Sequence, residues 1–171
     1  EVIASTVGSL TNPTKLENTF KSNRISYSHN TRKKHIDYLK DSFLVKDATR
    51  YDIKGKQYIG SNSKLYFTDI GLRNAMLNFR QIEPAHIMEN IIYNELVNRG
   101  MSVDIGVVEV SEKNANGNNV RKQLEVDFVC NNGRNRYYIQ SAYMLPDEDK
   151  AKQEKRPLIN LPDSFKKVII T

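Results

Sequence analysis

His86-Ile87-Met88-Glu89-Asn90, Leu124-Glu125-Val126-Asp127-Phe128-Val129 and Tyr138-Ile139-Gln140-Ser141-Ala142 are the stretches whose reading decides the fold. The first opens an apolar helix over 85–99, with Ile87, Met88, Ile91, Ile92, Leu96 and Val97 at helical spacing and Gly100 as its stop. The other two are apolar-rich strands separated by the turn Asn131-Asn132-Gly133. Strand alternation puts Gln123, Glu125 and Asp127 on one face and Lys122, Leu124, Val126 and Phe128 on the other. Tyr138, Gln140 and Ala142 share a face of the next strand. With Glu89 approaching from the helix, the candidate cluster is Glu89, Asp127 and Gln140, with Glu125 as a further member.

Outward from these stretches, Val103 to Val110 reads as a strand, Lys113 to Asn119 as a polar hairpin loop containing Asn116-Gly117, and Gln123 to Cys130 and Arg136 to Ala142 as strands. Pro146 to Lys155 reads as a charged helix or loop, and Phe165 to Ile170 as a final strand. Residues 81–171 thus run helix, three strands, helix, strand. Residues 1–80 read differently. Val2 to Leu10 is an apolar helix. Asn12-Pro13 caps a second helix through Leu16 and Phe20, and Ile25 and Tyr27 follow. Asn30-Thr31 caps a third, with Ile36, Leu39 and Phe43 on its apolar face and Arg32, Lys33 and Lys40 on the other. A hairpin follows with Lys54-Gly55-Lys56 at its tip, flanked by Tyr51, Ile53, Tyr58 and Ile59. Gly60-Ser61-Asn62-Ser63 makes a second turn, Lys64 to Phe67 a strand, and Thr68 or Asp69 caps a helix through Leu72 and Met76.

Three helices and a hairpin give a winged helix-turn-helix order. The third helix is then the recognition helix and Lys54 and Lys56 tip the wing. Charge favours this division. The first 80 residues hold 14 Lys/Arg against 7 Asp/Glu, the remainder 12 against 13, so the chain's net +6 comes from the first part. Such asymmetry is the footprint of a partner carrying phosphates or acidic side chains. Asn30, Thr31, Arg32 and Lys33 near the helix start, with Lys54 and Lys56, are the candidate nucleic-acid contacts.

At 171 residues with 39% hydrophobic content the chain has material for one large domain or two small ones. No apolar run approaches the ~20 residues that span a bilayer, and no signal peptide precedes residue 10. The single cysteine, Cys130, excludes an internal disulfide framework and suits a cytoplasmic location. It lies in a strand-like run and reads as a packing residue. The three histidines have no zinc-ligand spacing, no phosphate-loop motif is present, and no serine-hydrolase or zinc-protease motif appears.

The order and spacing of the three opening stretches resemble the acid, acid, acid-x-Lys layout of the PD-(D/E)xK nuclease-like fold. That chemistry needs carboxylates for a hard divalent cation and a lysine beside the attacking water. Gln140 stands where the resemblance implies a carboxylate and Ala142 where it implies the lysine, while Lys122 has the wrong parity. A wider resemblance joins Leu65-Tyr66-Phe67-Thr68-Asp69-Ile70-Gly71-Leu72-Arg73, Met88-Glu89-Asn90-Ile91-Ile92-Tyr93-Asn94-Glu95-Leu96 and Glu125-Val126-Asp127-Phe128-Val129. From about Ala4 to Ile170 the chain resembles the C-terminal region, of unassigned function, of a prokaryotic family of AAA-type P-loop ATPases. The resemblance implies an upstream ATPase domain holding ATP and Mg²⁺, with the chain's start at Glu1 read as that of an excised piece.

The expectation is an α/β (α+β) chain: a winged-helix domain at 1–80, then a restriction-endonuclease-like mixed-sheet domain at 81–171 with a vestigial site at Glu89, Glu125, Asp127, Gln140 and Ala142. No catalytic residue, metal ligand or cofactor is assigned to it. The expected role is a non-catalytic module of an AAA-type ATPase that binds DNA through its basic first part. The alternatives are a Mg²⁺-dependent nuclease using Glu89 and Asp127, and a protein-interaction module for the upstream ATPase domain.

Overall fold

The computed structural model describes residues 2–11, 14, 18–20, 29–114 and 116–171, with backbone alone at 29, 30, 32, 33 and 61. The helix capped by Asn12-Pro13 and the segment with Ile25 and Tyr27 fall largely outside these. The chain is mixed α/β with a mixed sheet. It divides into two compact units interleaved along the sequence. The first comprises Glu1–Thr49 and Gly60–Asn94, the second Arg50–Ile59 and Glu95–Thr171; the sequence reading had divided the chain at 80/81.

In the first unit a 3-10 turn at Ala4–Thr6 leads to β1 (Leu10–Thr11), which pairs antiparallel with residues 63 and 64 of β3 (Gln57–Phe67). The apolar helix expected from Val2 to Leu10 is therefore corrected to one short turn and a strand. The Ser5 and Thr6 hydroxyls donate to the Val2 and Ile3 carbonyls, local bonds that compete with helical ones. Helix α1 (His29–Asp41) is followed by β2 (Val45–Asp52). Asn30 and Thr31 lie inside α1 rather than capping it. Ile36 and Leu39 pack on a core of Ile3, Ala4, Val7, Val45, Leu65, Phe67 and Leu77. Phe43 lies past the helix end with φ 58° and is 74% exposed, so it is no part of that face.

The second turn expected at Gly60-Ser61-Asn62-Ser63 is not formed. β3 runs through it, with Gly60 at φ 66°. Asp69 caps α2 (Ile70–Met76), accepting from the Leu72 N–H at 3.0 Å. Helix α3 (Pro84–Asn98) follows.

The second unit is built on the strand order β3-β2-β4-β5-β6-β7, where β2 and β3 contribute the hairpin tip. Strands β4 (Ser102–Lys113), β5 (Asn119–Asn132) and β6 (Asn135–Ser141) are consecutively antiparallel. β2 pairs parallel with β4, and β7 (Lys166–Ile170) parallel with β6. The parallel β6–β7 pair requires a crossover, and α4 (Glu148–Ile159) supplies it. Ile53, Val108, Leu124, Val126, Val129, Tyr138, Leu158 and Leu161 form its core.

Two sequence details shape this unit. Gly133 (φ 59°) opens the two-residue β5–β6 turn, where a left-handed residue matches the strand twist. Between Gly106↔Val126 and Asp104↔Val129 the register shifts, because β5 spends one residue more than β4. Asp127 and Phe128 therefore form a bulge. Val126 and Val129 both belong to the one core cluster despite their odd separation, so the alternation expected along β5 breaks at Asp127.

Candidate functional site

Glu89 lies in the first unit and Asp127, Gln140 and Ala142 in the second, so each acid is described in its own surroundings. Glu89 sits on the first half of α3 and is 8% exposed. Its Oε1 accepts from the Lys64 ammonium at 2.9 Å and from the Tyr66 hydroxyl at 2.6 Å. Lys64 is buried as well. A buried carboxylate is tolerated when a cation and hydrogen-bond donors satisfy it, and Glu89 has both from alternate residues of β3.

The rest of this helix face meets the same strand. Asn90, wholly buried, accepts from the Phe67 N–H at 2.9 Å and donates to the Phe67 carbonyl at 2.7 Å, as a neighbouring strand would. Tyr93 stacks on Tyr66 at 4.1 Å, and Asn94 donates to the Phe67 carbonyl at 2.9 Å. The stretches Lys64-Leu65-Tyr66-Phe67 and Glu89-Asn90-Ile91-Ile92-Tyr93-Asn94 are thus two halves of one helix-on-strand clamp. Sequence reading singled out Glu89 without the partners that occupy it. Their signal was present in Lys64 and Tyr66, a period-2 pair on the adjacent motif.

In the second unit the bulge aims Asp127 toward β6. Its Oδ2 accepts from the Ser141 N–H at 2.8 Å, and its own N–H meets the Gln140 Oε1 at 3.4 Å. Gln140 turns its amide to α4, donating to Glu154 at 3.1 Å, and Lys150 pairs with Glu154 at 2.6 Å. Asp127, Gln140, Glu154 and Lys150 thus form a continuous polar chain. Glu154 and Lys150, one helical turn apart, were not singled out in the sequence, because a charged amphipathic helix gives no sign of which strand it covers. Ala142 is buried, its N–H bonded to the Ile170 carbonyl at 2.8 Å. Glu125 is half-buried opposite Val107. Among the described residues no group of three His, Cys, Asp or Glu could hold a metal ion.

Burial pushes the Cys130 thiol up to about 12, with Asp104 adding to the shift, which leaves it an unreactive core residue. Tyr138 is likewise pushed up to about 12, first by burial and then by donating to Asp163 at 2.5 Å.

Of the nucleic-acid candidates, the side chains of Asn30, Arg32 and Lys33 lie outside the described residues, while Thr31 is half-buried on α1. Lys54 and Lys56 are exposed at the hairpin tip. Lys54 is tied back to the sheet, its Nζ donating to the Glu109 carbonyl at 2.8 Å.

A Domain of unknown function (DUF8612) matches residues 1–83. An uncharacterized protein of Haemophilus influenzae is 34% identical over 169 residues, covering 99% of this chain; the chain spans 38% of that relative's length. No solved structure matches. Among the described residues no helix is long and apolar enough to cross a membrane.

Proposed function

We propose that this chain is a non-catalytic module of a longer AAA-type ATPase: a winged helix followed by a PD-(D/E)xK nuclease-like domain with a vestigial site. In this reading it binds DNA through basic residues of its first 80 positions, and ATP and Mg²⁺ belong to the remainder of the protein. The observation that carries the non-catalytic part is the commitment of both motif acids to internal bonds. Glu89 is held by Lys64 and Tyr66, Asp127 by the Ser141 N–H. Helix α1 and the charge excess of the first 80 residues support the winged-helix reading.

The test is affinity for a labelled duplex as salt rises. Phosphate contacts release counterions, so each one lost lowers the slope of log affinity against log salt by about 1. Reversing the charges of Arg32, Lys33, Lys54 and Lys56 together should weaken binding at least tenfold. Unchanged affinity would end the DNA reading in favour of a protein partner, the upstream ATPase domain first.

One observation favours a second reading, a metal-dependent nuclease. Glu154 places a carboxylate beside Gln140 and holds the Lys150 ammonium on its other oxygen, the two group types β6 itself lacks. That reading requires Mg²⁺- or Mn²⁺-dependent cuts in the duplex that Asp127→Ala abolishes.

A further inference from the structure

The strongest unassigned feature lies in the second unit, where the hairpin tip of β2–β3 and the β5–β6 turn border a cavity of about 640 Å³. Lys54, Lys56, Arg134 and Arg136 line it, against one carboxylate, Asp163. That carboxylate is already engaged by the Tyr138 hydroxyl at 2.5 Å. Four cations against one carboxylate leave the cleft net positive.

Its cations have different settings. Arg136 is half-buried, with its guanidinium over the Tyr51 ring at 5.5 Å and the Phe165 ring at 5.6 Å, and its Nε donates to Asn131 at 2.8 Å. Two aromatic rings and a carboxamide hold this planar donor fork in place, so little of its freedom remains to be lost on binding an anion. Lys56 and Arg134 stand exposed on opposite turns. No described acid pairs with either. Cations set without counter-charges on both sides of a pre-positioned guanidinium form a receptor for phosphate oxygens. The volume suits about one nucleotide unit, and the cations that line it favour phosphate as the group contacted.

We propose that this cleft seats the phosphodiester backbone of a single nucleic-acid strand, with Arg136 as the fixed central contact and Lys56 and Arg134 closing on it from the two turns. The proposal rests on the nucleic-acid reading above and moves its centre. Arg134 and Arg136, in the part of the chain without net positive charge, join the hairpin tip to form the contact surface. Contacts to phosphate alone make the binding indifferent to base sequence.

The test is titration of a fluorescein-labelled oligo-dT with the whole chain. The variants are Lys56→Glu/Arg134→Glu and, separately, Arg32→Glu/Lys33→Glu on α1. Both cleft positions are exposed turn residues, and an unchanged Tm confirms folding. The expected result is at least tenfold weaker binding and a salt slope reduced by about 2 in the cleft variant. If oligo-dT binds the wild type and the cleft variant equally but fails with the α1 variant, the nucleic-acid reading stands and the cleft proposal is overturned. Absence of wild-type binding to oligo-dT overturns the cleft proposal, while the duplex titration above decides the nucleic-acid reading separately. Competition with AMP at matched ionic strength separates the ligand sources. Weak competition supports a strand, whereas AMP as effective as oligo-dT would make the cleft a mononucleotide pocket and sink the strand proposal.

Discussion

At Glu89 a sequence motif that reads as half of a metal site is, in its surroundings, half of a buried ion pair. Breaking such a pair from one side leaves a charge stranded out of water, at a cost of about 3–5 kcal/mol, whereas replacing both partners with apolar groups is often neutral. Lys64→Met should therefore destabilise the chain by about 3 kcal/mol in urea denaturation. The double variant Lys64→Met/Glu89→Leu should recover most of that loss. A double variant no better than the single would show that Glu89 matters for another reason. Cys130 carries a second prediction at this scale. Its pKa is higher folded than unfolded, so the unfolded chain loses its proton first. The thiol's contribution is complete below about 9 and is lost as pH rises toward about 12. Between pH 8 and pH 10 it should cost about 1.4 kcal/mol of stability, and Cys130→Ala should flatten the profile by that amount. Parallel profiles for the two proteins would contradict the assignment.

At the scale of elements, the bulge in β5 decides where the polar side chains of the second unit go. Strict alternation predicts Gln123, Glu125 and Asp127 on one face. The extra residue at Asp127–Phe128 lets Val126 and Val129 share a core and turns Asp127 onto the Ser141 N–H. Opposite this irregularity stands Gly106, where an added Cβ would lie 2.8 Å from Val129 Cγ2, 2.9 Å from Ile53 Cδ1 and 2.9 Å from Val126 Cβ. Val126 Cβ is fixed to its strand and cannot swing away, so Gly106→Ala should destabilise by about 1–3 kcal/mol through overpacking. An unfolding midpoint equal to that of the wild type would show that the sheet yields there. The strands β4 to β7 and helix α3 were legible in the sequence because alternation, Asn-Gly turns and a helix ending at Gly100 are local signals. The bulge was not, since it arises from pairing between strands. Neither was the start of the chain, where Val2 to Leu10 looks helical until β3 offers Leu10 and Thr11 a strand to join.

For the whole molecule, what the sequence could reveal about a site was the identity of the charged residues, and what it concealed was their company. Glu89 and Asp127 stand out as motif acids; Lys64 and Tyr66 read as a strand pair but not as the groups that occupy Glu89, and Glu154 and Lys150 carry no sign of their link to Asp127 through Gln140. Summed by halves, the positive excess falls in the first 80 residues, and Arg134 and Arg136 are cancelled in the sum by acids elsewhere in their half. The central claim is that the chain binds nucleic acid and leaves it intact. The most direct measurement incubates the protein with a labelled duplex and Mg²⁺ at low and moderate salt, and reads both the bound fraction and the length of the recovered DNA. The account predicts binding that falls steeply with salt and DNA of unchanged length. Metal-dependent cuts that disappear in Asp127→Ala would contradict it.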